Sequence, residues 1–154
     1  MNIFTRTNDD DLLKYMSDDE IKSFHVVQDT LVFQPGDYIT RSGERDRDMY
    51  VILKGTAGIY LSNYPDKVFL ELTERNLIGE INFILPTRRS ASVRAITELK
   101  VIRYDYKRTV AFLAEHITIA AKFFAALNDI LGKKLIKTSQ KQASWDAEDE
   151  QDQS

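Results

Sequence analysis

Residues 77–93 read LIGEINFILPTRRSASV, and this is the stretch that does not have the pattern of plain scaffold. Gly79 permits close approach of the backbone to another group, and the five residues after it are enough for about one helical turn. The N–H groups that start such a turn can bind a phosphate, as can the Arg89 guanidinium and the Ser90 hydroxyl. The Glu80 carboxylate can accept hydrogen bonds from sugar hydroxyls. These residues favour a sugar-phosphate site, and a surface turn with an Arg–Glu ion pair is the alternative they leave open.

Residues 28–105 around this stretch have the periodicity of a β-roll. Short runs rich in β-branched and aromatic residues are separated by turn signals about every 8–12 residues, which is typical of a sandwich or barrel. Runs 57–61 and 68–72 alternate in polarity, which predicts an antiparallel hairpin. The other runs are 31–33, 38–40, 50–53, 91–95 and 101–104. We therefore expect a mainly β domain.

Helical patterns lie on both sides of the β-roll. N-terminal helices are predicted over residues 9–26, where Ser17 and Glu20 have the spacing of a capping box. C-terminal helices are predicted over residues 106–141. Together with the β-roll they make residues 1–141 a single domain, the number expected for a chain of 154 residues.

The second C-terminal helix, predicted over residues 117–141, has two apolar rows. A barrel can cover one of them. The other row, with Phe124, Leu131 and Leu135, is therefore expected to pair with a partner helix or with a second copy of the chain. Asn128 lies in that row, where a polar residue commonly sets the register of paired helices. A homodimer through this helix is the resulting prediction.

Composition restricts the chemistry of the chain. It has no cysteine, which excludes disulfides, thiolate catalysis and zinc fingers, and no run of about 18 apolar residues, so no membrane span is expected. His25 and His116 lie far apart and no catalytic loop motif is present, so neither an enzyme nor a metal site is expected. The net charge is −3, but residues 146–154 hold five acids and no base, which leaves +2 on the rest. This near-neutral body disfavours a nucleic-acid-binding face, and residues 142–154 are predicted to form a disordered acidic tail.

The quoted stretch resembles the phosphate-binding cassette of the cyclic nucleotide-binding domain family. In that cassette a Gly-Glu pair, a short apolar helix and a loop precede the triplet Arg-Ser/Thr/Ala-Ala. Gly79-Glu80 and Arg89-Ser90-Ala91 stand at the family's usual separation. The resemblance implies that Arg89 pairs with a cyclic phosphate and Glu80 with the ribose 2′-hydroxyl. The Gly79 N–H and the Ser90 hydroxyl would be further donors to the ligand.

The resemblance covers about residues 12–141 and implies an eight-stranded antiparallel jelly-roll β-barrel with flanking helices. The segments that match the family's glycine framework in order and spacing are 35–39, 42–44 and 50–55. Two positions depart from the family's pattern. Asn82 stands where a small residue is usual, and residues 85–88 lack a frequent glycine. These departures bear on affinity and not on the fold.

Residues 133–141 are similar to the stretch of bacterial catabolite activators in which a Thr-Ser pair contacts adenine. Thr138 and Ser139 would be that pair, and simple fraying near the tail is the alternative. Those activators continue into a DNA-binding domain after this helix, whereas here an acidic tail follows. No direct DNA binding is therefore expected.

Together these features predict a cytoplasmic sensor module. Its ligand would be a cyclic nucleotide, with cAMP favoured and cGMP or a cyclic dinucleotide as alternatives, and it would need no metal or other cofactor. An unidentified effector protein would receive the signal through the C-terminal helix. The alternative is a degenerate cyclic nucleotide-binding fold that binds no nucleotide and serves as a protein-interaction module.

Overall fold

The computed structural model describes residues 12–152, in which eight strands form two four-stranded antiparallel sheets. The strands are β1 (Gln28–Phe33), β2 (Tyr38–Thr40), β3 (Met49–Lys54), β4 (Ala57–Leu61), β5 (Val68–Leu72), β6 (Leu77–Ile78), β7 (Ala91–Ala95) and β8 (Leu99–Tyr104). The helices are α1 (Asp18–Phe24), α2 (Glu80–Ile84), α3 (Tyr106–Glu115) and α4 (Ile117–Asp152), with a 3₁₀ turn at His25–Val27.

The two sheets have the strand orders β1-β8-β3-β6 and β2-β7-β4-β5. Strands β4 and β5 form the predicted hairpin, in which Ile59 lies opposite Leu70. Strand β1 pairs with β8, although almost the whole β-roll separates them in sequence. This pairing of distant strands gives the jelly-roll topology. The predicted eight-stranded antiparallel fold with flanking helices is confirmed.

Two apolar clusters hold the layers together. The first lies between the sheets and contains Ile52 and Leu99. The second lies between the sheet that contains β8 and the helices, where the rings of Phe24, Tyr104 and Phe123 meet. The Phe24 centroid is 5.4 Å from that of Phe123 and 5.8 Å from that of Tyr104. Aromatic pairs of this kind add about 0.5–1.5 kcal/mol each beyond the burial of area, so they anchor α1 and α4 to the β-roll.

The predicted capping box is present and a helix follows it, but the described residues before it form no helix. Helix α1 begins after Ser17, whose hydroxyl accepts from the Glu20 N–H while the Glu20 carboxylate accepts from the Ser17 N–H. Residues 12–15 form a turn, and residues 9–11 of the predicted helix lie outside the described residues. The capping box satisfies the first N–H groups of α1 and so places the start of this helix at Ser17.

Helix α4 buries one apolar row and exposes part of the other. Phe123 and Leu127 are buried against the β-roll, whereas Phe124 and Leu135 are 47% and 69% exposed. Leu131, which was predicted to lie in the outward row, is half-buried and packs against the core. The outward apolar surface is therefore smaller than the sequence pattern indicates.

Helix α4 also runs on to Asp152, beyond its predicted end near Lys141. Residues 142–152, predicted as a disordered tail, have helical backbone. Their alanines, glutamines and glutamates have good intrinsic helix propensity, which does not require burial. The predominance of charged and polar residues in this segment therefore indicated solvation and not loss of helix.

The Glu20 carboxylate also joins α1 to α4, because it accepts from the Lys122 Nζ at 2.6 Å. The bonds from Lys122 and from the Ser17 N–H lower the pKa of Glu20 to about 2. This value lies below the unfolded-state pKa of about 4.3, so the stabilisation is fully present above that pH and is lost as pH falls toward 2. We expect Glu20→Gln, which keeps an oxygen acceptor for the cap, to flatten the fall of Tm with pH in this window.

Thermal unfolding between about pH 5 and pH 2 measures that dependence. Asp19→Asn is the matched control, because it removes an exposed carboxylate from the same helix that has no ion pair to α4 among the described residues. The control should follow the wild type. A Glu20→Gln curve parallel to the wild type would contradict the prediction.

Candidate functional site

A cavity of about 550 Å³ lies between the sheet that contains β4, the start of α2 and helix α4. Ile59 and Val93 line it on the sheet side, and Lys134, Lys137 and Thr138 line it on the α4 side. An apolar wall with a few polar groups converging at one side is typical of small-molecule sites. The cavity has room for a ligand with a flat apolar part and an ionised part.

Gly79 and Glu80 form one end of this cavity. Gly79 precedes α2 with φ at 83°, a left-handed conformation that favours glycine. The chain turns there and presents Glu80, 9% exposed, to α4. The Glu80 carboxylate accepts from the Lys134 Nζ at 2.5 Å, and the same Nζ donates to the Leu77 carbonyl at 3.3 Å. The carboxylate is thus accessible to the cavity and is held by a cation from α4.

Arg89 lies behind Gly79 and is 4% exposed. Its Nε and Nη2 donate to the two carboxylate oxygens of Asp46 at 3.2 and 2.6 Å. Nη2 also donates to the Asp48 carbonyl at 2.7 Å, and Nη1 to the Asn82 Oδ1 at 3.2 Å. The guanidinium is therefore bound through all three of its nitrogens, in the two-pronged geometry that arginine forms with carboxylates.

Asn82 connects Arg89 to the loop before it. Besides accepting from Arg89, its Nδ2 donates to the Thr87 carbonyl at 2.8 Å. Arg47 braces the same segment, since its guanidinium donates to the carbonyls of Asn82 and Phe83 and stacks on the Tyr106 ring. Asn82 is buried and does not line the cavity. Its side chain thus forms hydrogen bonds to the loop and to the Arg89 guanidinium.

A model of one protein family, described as the cyclic nucleotide-binding domain, matches residues 30–116. The chain belongs to the cyclic nucleotide-binding domain family. The predicted family is confirmed, and with it the predicted character of the chain as a regulatory sensor domain. In this family the ligand is a cyclic nucleotide.

Relatives of this cyclic nucleotide-binding domain include channels. The potassium/sodium hyperpolarization-activated cyclic nucleotide-gated channel 1 of Oryctolagus cuniculus is 35% identical over 106 residues, which are 67% of this chain and 12% of the channel. The chain thus spans about an eighth of the length of that relative. Among the described residues, no helix has an apolar stretch long enough to cross a bilayer.

Solved structures share the fold of the domain. A cyclic nucleotide-binding domain from Methylobacillus flagellatus matches with a TM-score of 0.76 and 16% identity, covering 82% of this chain and 72% of that one. The catabolite activator protein of Thermus thermophilus matches with a TM-score of 0.68 and 16% identity, covering 85% of this chain and 62% of that one.

In this cyclic nucleotide-binding domain, three of the seven predicted site residues meet at the cavity: Gly79, Glu80 and Thr138. Arg89 lies next to Gly79 and pairs with Asp46, and it does not line the cavity. The remaining three, Ser90, Ala91 and Ser139, do not line the cavity. Ser90 and Ser139 are exposed, and Ala91 is half-buried at the start of β7.

Three residues of the site were not predicted: Asp46, Asp48 and Lys134. Asp46 lies 43 residues before Arg89, and Lys134 lies 54 residues after Glu80. For the two aspartates, the sequence did hold a signal: charges alternate over residues 45–48, directly before a buried strand. Burial, together with the charges of Asp48 and Asp46, raises the pKa of Tyr50 to about 12, so this phenol stays neutral beside the arginine.

Proposed function

We propose that this chain is a cytoplasmic sensor of cyclic nucleotides, with cAMP as its ligand and cGMP as the alternative purine. The observation that carries the proposal is the convergence of Gly79, Glu80 and α4 on one cavity. The base would lie against Ile59 and Val93, and the ribose hydroxyl would be bound by Glu80. This assignment agrees with the chemistry of the groups, since a buried carboxylate accepts strongly from hydroxyl donors.

The cyclic phosphate would be bound from the Gly79 end of the cavity. Arg89 lies directly behind Gly79: a Cβ built on Gly79 would come within 2.2 Å of the Arg89 Nη1. Contact with a phosphate requires this guanidinium to exchange some of its bonds to Asp46 and Asn82 for bonds to phosphate oxygens. Ser90 and the Gly79 N–H would complete the donors, and Thr138 would contact the base with Ser139 beside it.

Ligand binding would be transmitted through α4. Lys134 on α4 holds the same carboxylate that the ribose hydroxyl would use. A bound nucleotide therefore competes with Lys134 and alters how α4 is held over the cavity. An effector protein, or a second copy of the chain, would detect the change at the exposed side chains of Phe124 and Leu135.

Calorimetric titration of the chain with cAMP, cGMP and AMP tests the proposal. We expect a single cyclic nucleotide site and no binding of AMP, whose phosphate is open and carries an additional charge. Ligand at about 100 times its Kd should also stabilise the fold by roughly 2.7 kcal/mol in thermal unfolding. Failure of both cyclic nucleotides to bind would contradict the proposal.

One observation favours the alternative, a fold that binds no nucleotide and recruits proteins. Both charged groups expected to bind the ligand already have partners: Arg89 pairs with Asp46, and Glu80 with Lys134. The double variant Asp46→Asn, Lys134→Gln separates the two functions. If the partners only restrain a working site, the variant still binds cAMP, with changed affinity. In a degenerate fold, neither the wild type nor the variant binds.

The Lys134 link to Glu80 should govern the mobility of the ligand-free α4. We expect Lys134→Gln to speed hydrogen exchange of residues 127–141 by about 5- to 30-fold, because an ion pair that is largely desolvated on the Glu80 side is worth about 1–2 kcal/mol. Lys137→Gln is the control, since Lys137 lines the same cavity and forms no ion pair among the described residues. Equal hydrogen exchange in the two variants would show that Lys134 does not couple the cavity to the mobility of α4.

A further inference from the structure

A second, smaller cleft of about 390 Å³ lies beside the cavity, between the β5–β6 turn and helix α4. Four cationic side chains line it: Arg75 from the turn, and Lys133, Lys134 and Lys137 from α4. Among the residues that the structure describes, no aspartate or glutamate lines the cleft. Such an accumulation of one sign of charge in a cleft attracts anions, because the cleft concentrates the field of the groups, and the ion pair to Glu80 offsets the charge of Lys134 alone.

Arg75 has an unusual backbone for its residue type. Its φ is 76°, and it is the sole non-glycine residue with positive φ in the part of the chain that the structure describes. The turn is fixed around it, since the Arg75 N–H donates to the Ile52 carbonyl at 2.8 Å and the Thr73 N–H to the Asn76 Oδ1 at 2.8 Å. Glycine or asparagine would take this conformation at lower cost. A strained residue at the edge of a cationic cleft is an indication of function for that residue.

The cleft adjoins the larger cavity of about 550 Å³. Asn76, Leu77, Lys134 and Lys137 line both spaces. On α4, Lys133 and Lys137 are four residues apart and so lie on one face of the helix, across from the Arg75 turn. Lys134 is paired with Glu80, but Arg75 and Lys137 form no ion pair among the residues described. The cleft therefore retains a positive charge that Glu80 does not neutralise.

We propose that this cleft is a second phosphate-binding site, distinct from the one at Gly79 and Arg89. Guanidinium and ammonium groups are the side chains that bind phosphate oxygens, and Arg75 supplies the planar, two-pronged donor. The phosphate has two chemical sources. It is either the second phosphate of a cyclic dinucleotide that spans both spaces, or a separate diphosphate anion. The first source rests on the proposed function, and the second does not.

Calorimetric titration of the wild type and of Arg75→Gly tests the proposal, with pyrophosphate, cyclic di-AMP and cAMP as probes. Arg75→Gly removes the guanidinium and suits the positive φ, so the variant should fold with a Tm no lower than the wild type. We expect it to bind pyrophosphate or cyclic di-AMP at least tenfold more weakly than the wild type and cAMP equally well. Lys107→Ala, which removes an exposed charge from α3, is the control and should match the wild type.

The titrations with pyrophosphate and with cyclic di-AMP distinguish the two sources of the phosphate. Loss of pyrophosphate affinity in Arg75→Gly supports a site for a separate anion, and loss of cyclic di-AMP affinity alone supports a ligand that spans both spaces. If the wild type binds neither probe, or if Arg75→Gly and Lys133→Gln bind them as the wild type does, the second site is refuted. Binding of cAMP in those same proteins decides the proposed function separately.

Discussion

Replacing Arg89 by alanine should abolish cyclic nucleotide binding and also lower the stability of the domain. The first effect follows from the proposed contact with the cyclic phosphate, whose loss costs about 2–5 kcal/mol of affinity, or 30-fold and more. The second follows from the structure, in which the guanidinium is 4% exposed and joins Asp46, the Asp48 carbonyl and Asn82. The sequence alone would lead one to expect an intact fold, and the burial of Arg89 corrects that expectation.

We expect Arg89→Ala to lose about 2–4 kcal/mol of unfolding free energy. The loss stays below that of a fully buried ion pair because the Asp46 side chain is 37% exposed and remains hydrated without its partner. Urea unfolding measures this, and titration below the midpoint of the variant measures affinity. Arg88→Ala is the matched control, because Arg88 is exposed and its side chain donates, within the described part of the chain, to the Gly43 carbonyl. Unchanged affinity in Arg89→Ala would show that the arginine does not contact the ligand.

The second large effect is expected for Gly79→Ala. The new Cβ would meet the Arg89 Nη1 at 2.2 Å and the Asp48 carbonyl oxygen at 2.9 Å, and φ at 83° strains any side chain. Strain of this kind costs about 1–2 kcal/mol by itself. Displacement of the guanidinium would add the loss of its bonds to Asp46, so we expect a total of about 3–5 kcal/mol and no nucleotide binding.

Gly43→Ala separates strain from collision. Gly43 has φ at 87°, nearly that of Gly79, but nothing lies within 4 Å of its would-be Cβ. This variant should therefore lose about 1–2 kcal/mol, the strain contribution alone, in the same urea experiment. Similar losses in the two alanine variants would mean that Arg89 moves aside freely and does not hold Gly79 in place.

Periodicity in the sequence is sufficient to predict the β-roll, because most strands have one face in the core and so alternate in polarity. The hairpin of β4 and β5 was predicted from its alternating sequence and is present, although Val68–Glu71 of β5 are exposed. Strand β6 does not, because two residues are too few to express a period. The end of α4 was missed for a different reason. A solvated helix has no apolar stripe, so its propensity is the only sign of it in the sequence.

The residues of the candidate site were also predictable only in part. Gly79, Glu80 and Arg89 were predicted because their residue types and spacing within one short segment carry the chemistry. Their partners were not, because Asp46 and Lys134 come from distant parts of the chain that only the folded β-roll brings together. The bonds of Asn82 to Arg89 and Thr87 likewise appear only in the folded chain.

The position of the Arg89 guanidinium behind Gly79 has a consequence for how relatives of this chain diverge. Selection for a folded domain alone would keep both residues, since each depends on the other and on the turn that carries Asp46. A descendant that has ceased to bind nucleotide would therefore still carry the glycine and the arginine. Glu80 would also be kept in part, because it holds Lys134 of α4. Thr138 faces the cavity and is exposed, so it is free to drift once the ligand is lost, and its identity separates binders from non-binders among such descendants.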